Sequence, residues 1–321
     1  MFLVRRNAVF HFALRIPHSA FHSVIHVLDT QHLGQPGIIA ATALETDDGI
    51  ALFDTGAAAT FENISGAMRA AGFSPNDVRH VFLSHIHLDH AGAAWRFAES
   101  GATIHVHPRG ARHLIDPSRL MESATRIFGD DMHRLWGEMR RIPEEQVRIT
   151  NDEFAIRAGQ YELRSLATPG HASHHNIYHW DDNLFGGDVA GVRLDGGPPV
   201  PPFVPPELQV ESWLESIERM RALNVSRLYL PHFGLVESDL TAHFDALAER
   251  VQRWATWFRD ELRQGRSESD LIPEFARYEA QDIRAAGAAE ERVADYERAD
   301  PSFMAVTASI RYWQKYHPEA L

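Results

Sequence analysis

The chain contains no cysteine, a single lysine (Lys315) and no apolar run of membrane-spanning length. The first absence excludes disulfides, iron–sulfur clusters and thiolate zinc sites together, so a bound metal must be held by nitrogen and oxygen. The third leaves no candidate for a membrane-spanning helix, which needs about 20 consecutive apolar residues. Basic charge is also short. Thirty-one Lys and Arg against 44 Asp and Glu leave a net −13, which repels phosphate backbones and argues against nucleic acid as a partner. Histidine is abundant instead, at 20 residues in 321, and 44% hydrophobic content is enough for a large core.

Gly, Pro and Asp turns separate the expected strands at 22–30, 37–45 and 49–56. A helix is predicted over 59–72, closed by Gly72, and a strand over 78–84. A helix at 91–99 and a strand at 102–107 follow, then an amphipathic, helix-leaning stretch at 108–145. Strands return between 153 and 191. A loop at 196–209 with six of the 17 prolines leads to a helix at 210–223 and a strand at 227–234. Beyond 238 the spacing is helical. Leu240, Phe244, Leu247, Val251, Trp254, Phe258 and Leu262 form one stripe, Ser238 is the expected N-cap, and Asp300-Pro301 opens the last helix.

The stretch "FLSHIHLDHAG" delivers His85, His87, Asp89 and His90 directly behind a strand. On extended backbone, positions i and i+2 share a face, so His85 and His87 can grip one ion. Asp89 and His90 can serve a second if the chain turns. Further donors stand just after later strands, beside glycine or proline: His171 in "TPGHASHH", Asp188 in "FGGDVAG" and His232 in "LPHFG". Imidazole and carboxylate without thiolate suit zinc, manganese or iron. His105 and His107 share a strand face but lack a carboxylate partner and are not taken as a second site.

The H-x-H-x-D-H run with its later "GH", "GD" and "PH" elements resembles the metallo-β-lactamase-fold hydrolase superfamily over about residues 22–235, and "LFDTG" at 52–56 resembles its strand-end Asp motif. The resemblance implies an α+β chain folded as an αββα sandwich with a C-terminal helical extension. Residues 1–20 would be an N-terminal extension, 21–235 the catalytic domain and 236–321 a helical region packed on it. By the same resemblance His85, His87 and His171 hold one metal, and Asp89, His90 and His232 another. Asp188 would bridge them and Asp54 would support the cluster loop. Two Zn2+ ions, or Mn2+ or Fe2+ in their place, would activate water, with Asp89 as the catalytic residue that orients it and relays a proton. His174 or His175 is expected to back the ligands or face the substrate.

A small ester, thioester or lactone is the expected substrate, with a phosphodiester or a mononuclear-iron persulfide dioxygenation as the alternatives. Two departures from relatives bear on this choice. His87 stands where flavin-linked diiron reductases carry glutamate, and Gly191, Val192 and Arg193 follow Asp188 where quorum-signal lactonases place a tyrosine. The expected setting is cytoplasmic, with a small-molecule substrate, no nucleic acid or membrane partner, and aromatic C-terminal helices that could seat a homodimer contact.

Overall fold

The computed structural model describes residues 25–321; the expected N-terminal extension and the start of the first expected strand lie outside them. Strands β1 (Ile25–Asp29), β2 (Ala40–Thr46), β3 (Gly49–Phe53), β4 (Val78–Phe82), β5 (Thr103–Val106) and β6 (Val147–Ile149) lie side by side in sequence order as the first sheet. Hairpin turns join β1, β2 and β3 antiparallel, whereas helical crossovers make β3 to β6 parallel. The second sheet is built from β7 (Phe154–Ala158), β8 (Tyr161–Ala167), β9 (Asn176–Trp180), β10 (Asn183–Phe185), β11 (Arg227–Leu230) and β12 (Gly234–Val236). It is antiparallel except where β10 meets β11.

Helices α1 (Phe61–Ala70), α2 (Leu88–Ala91), α3 (Ala94–Glu99), α4 (Pro108–Ile115), α5 (Ser118–Phe128) and α6 (Met132–Trp136) belong to the first half. Helices α7 (Val210–Ala222), α8 (Leu240–Arg263), α9 (Glu268–Ala285), α10 (Glu290–Ala299) and α11 (Ser302–Tyr316) follow in the second.

Three buried layers result, because each sheet is apolar on both faces. Between the sheets lie Leu44, Phe53, Phe82, Tyr178, Phe185 and Tyr229, with the Phe53 and Phe185 rings stacked at 3.4 Å. Leu52, Val81 and Ile104 turn outward onto Ile64, Met68, Phe97 and Leu114 of the first helical layer. Leu184, Leu228 and Leu230 face Trp213, Phe244, Leu247, Trp254 and Phe275 of the second. Helix, sheet, sheet, helix is the αββα sandwich.

Three local expectations are corrected. Asp239, not Ser238, caps α8: its carboxylate accepts from the amides of Thr241 and Ala242, while the Ser238 hydroxyl accepts from Arg193. The segment 227–234 is not one strand, since β11 ends at Leu230 and the chain turns through His232 before β12. Asp300 does not cap α11, which begins at Ser302 after Pro301, and the Asp300 carboxylate is buried with neither oxygen partnered.

Asp300 belongs to a buried carboxyl group with Glu279, whose Oε2 lies 3.2 Å from the Ser302 hydroxyl. Burial first, and the neighbouring carboxyls Glu297 and Asp282 next, push Glu279 up to about 8. Burial and Glu279 raise Asp300 likewise. Folded pKa values above the unfolded ones mean that the folded state holds the extra protons. Their stabilisation is therefore complete below the ordinary glutamate range and is lost as pH rises through about 8. The melting temperature is expected to fall between about pH 5 and pH 9, and to fall less in Glu279→Gln. Identical pH profiles in thermal unfolding would contradict this.

Candidate metal centre

Every donor picked out by pattern sits where a strand ends and the chain turns across the sheet edge. After β4 the chain bends at Ser84 and carries His85 and His87 into one donor group. The single turn of α2 then brings Asp89 and His90 back beside them. His171 follows β8, Asp188 follows β10 and His232 follows β11, so the second sheet delivers three donors to meet the four of the first.

The side chains converge in two groups, His85 with His87 and His171, and Asp89 with His90, Asp188 and His232. In the first, His85 Nε2 lies 2.8 Å from His87 Nδ1 and 3.2 Å from His171 Nε2, and His87 Nδ1 lies 3.0 Å from His171 Nε2. Ligands at about 2.0 Å around a tetrahedral zinc would be spaced by about 3.3 Å, close to this triangle. In the second, Asp89 Oδ2 is 3.2 Å from His90 Nε2 and 3.3 Å from His232 Nε2. Asp188 touches both groups: its Oδ2 is 3.3 Å from His90 Nε2 and 3.5 Å from His171 Nε2, and its Oδ1 is 3.6 Å from His232 Nε2.

Outer hydrogen bonds fix which ring nitrogens are bare. His171 Nδ1 donates to the Pro202 carbonyl at 2.8 Å and His232 Nδ1 to the Ile38 carbonyl at 2.9 Å. His90 Nδ1 donates to Asp54 Oδ2 at 3.1 Å, and His85 Nδ1 meets the Ser84 hydroxyl at 3.0 Å. That hydroxyl donates to Asp54 in turn. The Nε2 lone pairs of His85, His90, His171 and His232 therefore point inward, at one another and at carboxylates.

Such a gathering is repulsive unless a cation sits among the lone pairs. His90 Nε2 and Asp188 Oδ1 are buried with no hydrogen-bond partner. The donor set fits divalent metal. Electrostatics agree. Burial opposes charge on His90 and His232, yet the surrounding carboxylates hold both imidazoles above their ordinary value. Burial would raise Asp188 and Asp89, and His90 and His232 outweigh it and keep both carboxylates ionised. Burial and neighbouring imidazoles drive His85 and His87 well below the usual histidine range, leaving them neutral.

Supporting residues surround these donors. Asp54 adopts a positive φ of 55° and accepts from Ser84 N, the Ser84 hydroxyl and His90, fastening the cluster loop. His175 is fully buried, bonds Thr168 at 2.9 Å and packs where a Cβ on Gly187 would collide with it. His174 lies nearer the surface, stacked 6.1 Å from His85, with its Nε2 3.8 Å from Glu207. Burial lowers His174 to about 4, against the pull of Glu207. His105 pairs with His80 at 3.1 Å, while His107 caps α4.

Two supports escaped sequence reasoning. Trp213 donates to the Val189 carbonyl at 2.8 Å and His243 contacts the Ala190 carbonyl at 2.9 Å, pinning the turn that carries Asp188. His243 was visible only as a polar residue within the apolar stripe of α8.

A two-sheet sandwich with this donor set at its edge defines a class. The chain belongs to the metallo-beta-lactamase superfamily, whose family model matches residues 34–232. A metallo-beta-lactamase fold-containing protein of Sulfurisphaera tokodaii is 31% identical over 167 residues, which cover 50% of this chain and 62% of that protein. The N-acyl homoserine lactonase AttM of Rhizobium radiobacter is 30% identical over 114 residues, covering 34% of this chain and 38% of the lactonase. The chain thus spans less than two thirds of the length of these relatives. A metallo-beta-lactamase family protein from Thermus thermophilus shares the fold at a TM-score of 0.62 and 18% identity, covering 91% of this chain and 93% of that one. Among the described residues no helix is long and apolar enough to cross a membrane.

Proposed function

We propose that the protein is a metal-dependent hydrolase that cleaves a small ester, thioester or lactone at a centre holding two zinc ions. The carrying observation is the pair of inward-facing donor groups sharing Asp188. His85, His87 and His171 would hold one ion and Asp89, His90 and His232 the other, with Asp188 bridging. Bound there, the ions would supply Lewis acidity and make a water available as nucleophile near neutral pH.

The chain supplies the rest. Only His87 and Asp89 among the seven donors keep appreciable exposure, so the centre opens on their side. Asp89 is 18% exposed against 5% for Asp188, so of the two carboxylates it is the one positioned to accept the proton of an attacking water and pass it to the leaving oxygen. Asp54, Ser84 and the carbonyls of Pro202 and Ile38 keep the ring nitrogens aimed. The lactonase relatives and the acidic net charge favour a neutral acyl compound over a polyanion.

The test is one panel at neutral pH with zinc and then manganese: aryl esters, thioesters, lactones, a β-lactam, aryl phosphodiesters and a persulfide. Acyl compounds are expected to turn over fastest, and Asp89→Ala to abolish that activity. Faster phosphodiester cleavage would sink the acyl assignment. Oxygen consumption with sulfite release from the persulfide would remove the hydrolase assignment itself.

A further inference from the structure

Among the described residues, Arg193 is the one arginine shielded from solvent that has no carboxylate beside it. Every other arginine there that is not exposed, from Arg219 to Arg292, lies within 4 Å of an Asp or Glu oxygen. In a chain with 44 acidic side chains, a half-buried cation left without one is an exception that calls for a partner. Burial pulls the Arg193 guanidinium down, and the group that offsets this is the Tyr296 hydroxyl, not an acid.

The fold uses only part of that guanidinium. Nε donates to the Gly197 carbonyl at 2.8 Å and Nη1 to the Ser238 hydroxyl at 2.7 Å. His243 donates from Nε2 to the Ala190 carbonyl, so its bare Nδ1 faces Arg193 Nη1 at 3.3 Å. These bonds fix the side chain. They leave Nη2, with two N–H groups, without an acceptor among the described residues. The Ser238 hydroxyl, having accepted from Arg193, still has its own proton to give.

Arg193 and Ser238 line a cavity of about 170 Å³, together with Phe233, Leu235, Val236 and Glu237. Leu235, Glu237 and Ser238 are exposed, so the cavity opens to solvent. A cavity of about 150 Å³ accommodates benzene, so this one suits a compact molecule of about six non-hydrogen atoms. Phe233, Leu235 and Val236 give it an apolar wall opposite its two polar donors in chemistry. None of its walls is a metal donor, although Arg193 N donates to the His232 carbonyl and Phe233 N to the Arg193 carbonyl, which ties the site to the turn that carries a ligand.

We propose that this cavity binds a small monocarboxylate, its carboxylate held by Arg193 Nη2 and the Ser238 hydroxyl and its hydrocarbon body lying against Phe233, Leu235 and Val236. One free guanidinium nitrogen and one hydroxyl match a single carboxylate, and Glu237 in the same wall repels a dianion such as phosphate. The site is independent of the reaction at the metal centre.

Calorimetric titration of the zinc-loaded protein tests it, with acetate, butyrate, hexanoate, octanoate and uncharged butyramide. Acetohydroxamate, a ligand for the metals, is present in saturating amount, so that carboxylate on the ions is not counted. Affinity is expected to rise roughly fourfold per methylene from acetate to butyrate and to stop rising by octanoate, which outgrows the cavity. Butyramide should bind at least about tenfold more weakly than butyrate, and Arg193→Gln should weaken butyrate by roughly tenfold or more. That variant also loses the bonds to Gly197 and Ser238, so two others leave Arg193 in place. Glu237→Gln removes a negative charge from the wall and should tighten butyrate roughly twofold to fivefold; Leu235→Glu adds one and should weaken it by as much. No binding of butyrate, equal binding of butyramide, or an affinity that Glu237→Gln and Leu235→Glu leave unmoved would overturn the site.

Discussion

Asp188→Ala is expected to bind neither metal tightly and to lose about 10³-fold or more in kcat/KM, about 4 kcal/mol of transition-state stabilisation. One carboxylate lies within 3.6 Å of ring nitrogens from both donor groups, so its removal exposes each group to the mutual repulsion of its imidazoles. Elemental analysis of protein purified without chelator is the direct measurement, with two ions per chain expected for the parent. Asp54→Ala should behave differently. It removes acceptors from His90 and Ser84 and no donor from the centre, so roughly a 10- to 100-fold loss in metal affinity is expected. Full metal and full turnover in Asp188→Ala would show that it does not bridge; a single iron in the parent would favour the dioxygenase chemistry.

Truncation after Val236 is expected to yield insoluble or grossly destabilised protein. Leu240, Phe244, Leu247, Val251, Trp254 and Phe258 are buried against the outer face of the second sheet. At roughly 1.5–3 kcal/mol per large side chain, these six contribute ~9–18 kcal/mol. The net stability of a domain is only about 5–15 kcal/mol. The helices also reach the centre. Tyr296 donates to the Pro198 carbonyl at 2.9 Å and Arg250 to that of Pro199, holding the proline-rich loop whose Pro202 carbonyl orients His171. Solubility and thermal unfolding of the truncated chain decide the matter. A soluble, equally stable product would mean that α8 to α11 form an independent appendage.

The strands, the helices and the seven donors were legible because they rest on short-range signals, whereas the αββα sandwich followed from the family resemblance that the donor motif carries. Strand alternation, the helical stripe of α8 and the spacing of His85, His87, Asp89 and His90 each lie within a few residues. Asp188 and His232 were marked by the small or rigid residues beside them. What stayed hidden depends on contacts between distant segments. His32 is an isolated histidine in a polar turn, and only the fold stacks its ring on Trp136, more than a hundred residues away. The division of 227–234 into two strands follows from the demand of the edge turn at His232, which no local propensity encodes. Ser238 and Asp239 are both competent caps, and the hydroxyl's bond to Arg193 leaves the carboxylate to cap the helix.

Each donor group draws on both sheets, with His85, His87, Asp89 and His90 from the first and His171, Asp188 and His232 from the second. A bound ion is therefore a cross-link, tying segments 86 residues apart between His85 and His171. Closing a loop of that size by a covalent staple is worth on the order of 4 kcal/mol. In a chain without a sulfur bridge, coordination would do the stapling, and it would be indifferent to the redox state of its surroundings but open to chelators. A chelating buffer would then act as a mild denaturant, and scarcity of metal would be felt as loss of fold as well as loss of turnover.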